Sequence, residues 1–314
     1  VILAYLIGLK WHKALLVGFI YQTFGAFYSN AEHLDIIRGY SFIPWLLIPV
    51  LTKQYFAKLN QIILWLYPLI VFLMITGGYL GMSIAIFFIL GITAFIRIVF
   101  EKEYRKYGFF VIGALLIGFL ISSVFLLPSL LDKKELIRDT GIISYDYAYL
   151  VDIFSLIFGI GFPSQPHDIS MQSSSIGMIV FMLLISSLLK IKIINKWLLF
   201  ILLLALLMIS GLLHQYLIQI FSPLGLSRMI MSDYRGLIGI IIILISTIGL
   251  KNFTQKDLIP VIIFTLIFIV LGNFFLNINS LDYKKEFLFI AISFLLSIGI
   301  LYIFTRKALL GITL

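Results

Sequence analysis

Long apolar runs separated by short polar breaks set the pattern of this chain from end to end. The runs cover 14–28, 40–51, 62–76, 82–96, 109–131, 176–189, 197–213, 236–250, 258–275 and 287–304, after the tail of another at 1–9. Runs near the ~20 residues needed to cross hydrocarbon predict transmembrane helices. Their apolarity is continuous rather than alternating, which argues against a β-barrel. The predicted fold class is an all-α polytopic membrane protein of about ten to eleven transmembrane helices, forming a single transmembrane helical domain over 1–314. Pro44 and Pro49 predict a bent or interrupted helix in the 40–51 run, and Gly77–Gly81 (GGYLG) predicts a tight, uncharged turn.

The longest polar interruption is Asp132–Ser174. It opens with DKKELIRDTGIISYDY and closes with PSQPHDISMQSSS; between them lies AYLVDIFSLIFGIGF, too short and too broken for an ordinary span. Assigning alternate loops to opposite sides tests the pattern. One side collects 15 of the 23 Lys and Arg against 3 acids, a net +12; the other collects 8 against 11, a net −3. The basic side is then cytoplasmic. That split requires the 148–162 segment to be re-entrant or interfacial, entering and leaving on the outer face. It makes 132–174 an outer-face loop, alongside the loops at 30–39 and 214–235; the last of these could lie in the interface as an amphipathic piece.

Composition agrees: 62% hydrophobic residues, 12% charged and a mean hydropathy of +1.14 leave too little charge to cover a soluble domain of 314 residues. The absence of cysteine excludes disulfides, thiolate metal sites and thiol catalysis. The net charge of +9 belongs to cytoplasmic loops rather than to a nucleic-acid surface. The chain opens at Val1 inside an apolar run and stops soon after Lys307 with another run beginning, which predicts a piece of a longer protein, truncated at both ends. The expected location is the plasma (cytoplasmic) membrane, with membrane lipids as partners and no nucleic acid.

Three outer groups carry candidate chemistry. Glu32, His33, Asp35 and Arg38 lie within seven residues; two carboxylates and an imidazole could hold a divalent cation or move a proton, or simply keep a loop out of lipid. In the second group, Tyr145, Asp146, Tyr147, His167 and Asp168 surround Asp152, which sits inside an apolar segment. It points at a polar chamber if that segment is re-entrant, and lies on a wet face if it is interfacial. Arg228, Asp233 and Arg235 form the third, where a guanidinium fork could clamp a lipid-linked phosphate or serve as an ion pair or interfacial anchor. His214 closes a Leu-rich run and could cap its carbonyls. No ionisable residue falls inside the predicted spans, which counts against a pump or coupled transporter.

Four stretches carry a resemblance. FYSNAEHLDIIRGYSFIPWLLIPVL, VFLLPSLL, YLVDIFSLIFGIGF and FSPLGLSRMIMSDYRGLIGIIIIL together resemble the GT-C-type membrane proteins, in particular the YfhO-like and 6-pyruvoyl-tetrahydropterin-synthase-related membrane families, over roughly residues 1–250. The resemblance implies a glycosyltransferase that moves a sugar from a polyprenyl-phosphate donor to a glycan, lipid or protein acceptor at the outer face. It also implies a catalytic acid in the first outer loop and, in many members, a divalent cation such as Mg or Mn. That first loop would lie before Val1, and no Asp-x-Asp is present. By position, His33 and Arg38 match the family's second outer loop and Arg235 its late arginine. The expected site residues are Asp152, Glu32, Asp35 and His33 for catalysis and Arg235, Arg228 and Arg38 for phosphate. A polysaccharide polymerase or ligase, and a non-catalytic lipid or polysaccharide transporter, are the alternatives.

Overall fold

A computed structural model describes residues 1–30, 33–131, 147–148, 150–157, 175–227, 230–275 and 281–309. Among the described residues every regular element is helical. In chain order these are α1 (Ile2–Leu6), α2 (Trp11–Gln22), α3 (Gly25–Ser29), α4 (Leu34–Leu51), α5 (Lys58–Gly77), α6 (Leu80–Phe100), α7 (Lys102–Leu131), α8 (Met178–Leu189), α9 (Lys196–Ile209), α10 (His214–Ile220), α11 (Ile230–Asn252), α12 (Gln255–Phe275) and α13 (Leu281–Leu309). Short 3₁₀ turns lie at Leu150–Leu156, Ile191–Ile193 and Ser222–Leu226.

Among the described residues seven helices are long and apolar enough to cross a membrane: α4, α5, α6, α7, α11, α12 and α13. The count becomes eight if α9 and α10, bent by 87° at the residues between them, form one broken span. The described helices therefore do not reach ten to eleven. The shortfall lies in the shorter runs. The 14–28 run divides into α2 and α3, and α8 has only 12 residues. At 1.5 Å per residue α8 extends about 18 Å, well short of a ~30 Å hydrocarbon core.

The chain forms two compact units: Val1–Ala14, Asn30–Ala148 and Leu199–Ile238 in the first; Leu15–Ser29, Tyr149–Leu198 and Gly239–Leu314 in the second.

In the first unit α4, α5, α6 and α7 pack against one another. α4 stays helical through Pro44 and Pro49, where the sequence predicts a bend or break. Proline removes a donor from the helix ladder, and a helix end leaves carbonyls unpaired. Three neighbouring helices donate to carbonyls in the later turns of α4. Tyr67 Oη donates to Leu46 O at 2.8 Å, Tyr104 Oη to Pro49 O at 3.3 Å, and an Arg97 Nη to Val50 O. These contacts tie the later turns of α4 to α5, α6 and α7, a tertiary effect that local sequence does not encode.

Arg97 organises this end of the unit. Buried to 2% exposure, it bonds Glu101 through Nε at 2.9 Å and Nη2 at 2.6 Å, donates to the Tyr55 hydroxyl, and lies 4.0 Å from the Tyr104 ring centroid. Burial holds the Tyr55 hydroxyl above the ordinary phenol value, against the opposing charge of Arg97. Lys53, Lys58, Lys102, Arg105 and Lys106 stand exposed around it.

At the opposite end, the GGYLG stretch makes the expected turn between α5 and α6. A Cβ at Gly78 would meet Met74 O of its own helix and come within 3.4 Å of Gly39 Cα on α4. The α9–α10 bend uses Gly211 at φ +79°, with its Cα against the Tyr147 ring, and Ala148 N donates to Ile209 O at 2.7 Å.

In the second unit α8, α12 and α13 pack together. Phe268 of α12 meets Phe181 of α8 at 4.6 Å and Phe154 at 4.8 Å between ring centroids. Thr254 and Asp257 form a cap at the start of α12, and Lys190 joins it through Asp257 at 2.6 Å and Asn252 O at 2.7 Å. The described part of the 148–162 segment is the 3₁₀ turn Leu150–Leu156. Its seven residues extend about 14 Å, and Leu156 O accepts from Ile176 N just ahead of α8.

Candidate functional site

The first turns of α4 and α11 meet at the end of the first unit opposite Arg97. Tyr40 on α4 donates from its hydroxyl to Ser232 O at 2.8 Å, and Gly236 lies flat against its ring, where a Cβ would collide. The segment after α10 closes the same end. Phe221 stacks on Phe88 with centroids 5.5 Å apart, Gly81 packs against Leu226 O, and Ser227 Oγ donates to the Asp233 carboxylate. These contacts bring the 30–40, 77–81, 213–227 and 230–236 stretches together.

The centre of this end is one turn of α11. Ser232, Asp233, Tyr234 and Arg235 are exposed by 5%, 2%, 0% and 2%. Successive helical residues point about 100° apart, so four polar side chains circle the helix and each is enclosed by protein. The charge of Arg235 acts on the Asp233 carboxylate. These two ionisable groups belong to the first turn of a helix counted as a span, Ser232–Asn252. That corrects the expectation that the spans carry none. The apolar run begins at Gly236, and helical geometry extends past it into the polar residues upstream. A carboxylate and a guanidinium placed there carry a steep desolvation cost unless they serve each other or a ligand.

A second polar pair sits beside the α9–α10 bend. Tyr147 Oη lies 3.1 Å from Nδ1 of the fully buried His214, so His214 contacts a side chain from the 132–148 stretch rather than only capping α9.

The expected site residues divide. His33 stands at the N-cap position of α4 and is half-buried, with Asp35 and Arg38 exposed on the first turns behind it. Those three and Arg235 belong to the first unit, at the same end. Asp152 belongs to the second unit, where it is buried to 3% in the 3₁₀ turn; the wet-face alternative for its side chain does not fit that burial. Glu32 and Arg228 lie outside the described residues. Among the described residues no three His, Asp or Glu side chains converge as a metal nest.

Sequence reasoning noted Asp233 only as a companion of Arg235 and passed over Ser227 and Tyr40. An acid and an arginine two residues apart just before an apolar run was the available signal for Asp233. Nothing local marks Tyr40 or Ser227, whose roles depend on contacts across the fold. Comparison with known protein families, with curated proteins and with solved structures finds no match, so the GT-C resemblance rests on the quoted motifs alone.

Proposed function

We propose that this chain is the membrane-embedded part of a glycosyl-transfer enzyme that takes sugar from a polyprenyl-phosphate carrier. The observation that carries the reading is the Asp233–Arg235 turn: a carboxylate and a guanidinium, both almost fully buried, on the end turn of a span. The cation-rich end around Arg97 faces the cytoplasm on this reading, and the Asp233 end faces outward. The 148–162 segment then stays on the outer side.

In the proposed reaction the Asp233 carboxylate takes the proton of an acceptor hydroxyl as that oxygen attacks the anomeric carbon. The bond between the anomeric carbon and the phosphate oxygen breaks, and its electron pair leaves with the polyprenyl phosphate. Arg235 neutralises the developing phosphate charge through its donor fork. Ser227, bonded to Asp233, orients the carboxylate, and Tyr40 fixes the turn through Ser232 O.

The test is transfer from a panel of radiolabelled polyprenyl-phosphate hexoses in membranes holding the full-length protein. Asp233→Asn and Arg235→Ala are expected to lower turnover by at least about 100-fold, the scale of losing a catalytic base or a charge-stabilising donor. Asp152→Asn is measured beside them to decide whether the second carboxylate contributes. Wild-type membranes inactive on every donor, or both variants folded and fully active, would sink the proposal.

A further inference from the structure

We propose that the Arg97 end of the first unit is a binding surface for anionic phospholipid headgroups, independently of the catalytic reading. The loop between α4 and α5 and the junction between α6 and α7 are joined there. Arg97 bonds Val50 O, the Tyr55 hydroxyl and Glu101, while the Tyr55 ring lies 5.1 Å from the Tyr104 ring and 5.4 Å from the Tyr107 ring. Asn60 ties the same loop from behind through Thr52 and Gln54 O. Two stretches distant in sequence are thereby fixed side by side, and their charges act as one surface.

That surface has a definite sign. Lys53 and Lys58 flank Tyr55, and Lys102, Arg105 and Lys106 flank Tyr104; all five are exposed. Of the two neighbouring acids, Glu101 is engaged by Arg97 and Glu103 alone is exposed. Phe56 and Phe100, 50% and 76% exposed, stand beside the cations. Cations above apolar aromatic rings suit the boundary between headgroups and acyl chains. A diffusible anion would need the charges alone, whereas a lipid also uses the rings. Each cation near an anionic leaflet strengthens binding by up to about fivefold, and five on a rigid platform make it a preferred lipid position.

The protein is reconstituted in phosphatidylcholine vesicles with trace spin-labelled phosphatidylglycerol or spin-labelled phosphatidylcholine, and the motionally restricted fractions are compared. The expected result is a several-fold preference for phosphatidylglycerol at low salt, falling toward parity near 1 M salt, where screening acts within about 3 Å. Lys53→Gln/Lys102→Gln/Lys106→Gln removes exposed side chains and is expected to bring the preference close to parity. Lys192→Gln/Lys256→Gln, in the other unit, is expected to leave it unchanged. The proposal fails if the wild type shows no preference at low salt or one that salt does not reduce. It also fails if the triple variant keeps the preference, or if the control pair removes it equally.

Discussion

Each end of the first unit buries an arginine to 2% exposure, and the two are built for different work. Arg97 meets an acid one turn along its own helix, a backbone carbonyl at the proline-weakened end of α4, a tyrosine hydroxyl and an aromatic face. Those partners are structural, and together they close a helix terminus. Arg235 shares its turn with Asp233, two residues away. Positions i and i+2 of a helix do not face one another, so that pair acts across the helix, and the carboxylate already receives Ser227. One arginine completes a framework; the other shares one buried helical turn with an acid. Burial alone does not distinguish a staple from a site. The geometry of the counter-charge does.

The comparison breaks most sharply at Arg97. Arg97→Ala removes the donor to Val50 O and takes the counter-charge from the partly buried Glu101. Losing one partner of a buried ion pair costs about 3–5 kcal/mol. The expected outcome is a large drop in thermal midpoint for the detergent-solubilised protein and little folded material in the membrane fraction. Arg97→Lys restores the charge without the planar fork and should recover only part of the loss. Arg235→Ala, by contrast, should leave monodisperse protein that lacks transfer activity. Equal unfolding by the two alanine variants would erase the distinction between the two ends.

The same contrast explains what could be read beforehand. The helical class, the GGYLG turn and the cation-rich 53–58 stretch follow from local pattern, because hydrophobic periodicity and loop charge are local properties, whereas 97–106 is helix on both sides of Glu101. The Arg97 cluster was invisible: Arg97 reads as another loop cation until Val50, Tyr55 and Tyr104 are brought around it from three other elements. The contacts around α4 are hidden for the same reason, since Tyr67, Tyr104 and Arg97 reach its carbonyls from three other helices. Arg235 was legible because an arginine at the mouth of an apolar run stands out. The span count was not, because apolar runs of 12–14 residues look much like spans in sequence.

Gly236 sharpens the Arg235 side. Its Cα lies against the Tyr40 ring, and a methyl group there would overlap ring carbons. Gly236→Ala should push α4 and α11 apart at the Asp233 turn and cost about 1–3 kcal/mol through overpacking. Cysteine crosslinking between exposed positions near residues 38 and 226 should change its rate, and transfer activity should fall further than stability does. Unchanged crosslinking and activity would mean that the α4–α11 contact does not position the turn.

The smallest effect expected is at Tyr40 itself. Tyr40→Phe keeps the ring against Gly236 and removes only the 2.8 Å bond to Ser232 O. A single hydrogen bond contributes about 0.5–1.5 kcal/mol net, so the thermal midpoint should shift by a few degrees at most. If that bond orients the Asp233–Arg235 turn, the loss should appear mainly in turnover, with donor KM little changed, because the turn would bind substrate yet hold the base off line. A matched rise in KM with unchanged turnover would instead place Tyr40 in donor binding. A stability loss as large as that of Arg97→Ala would make this end a second framework and remove the basis for separating it from the first.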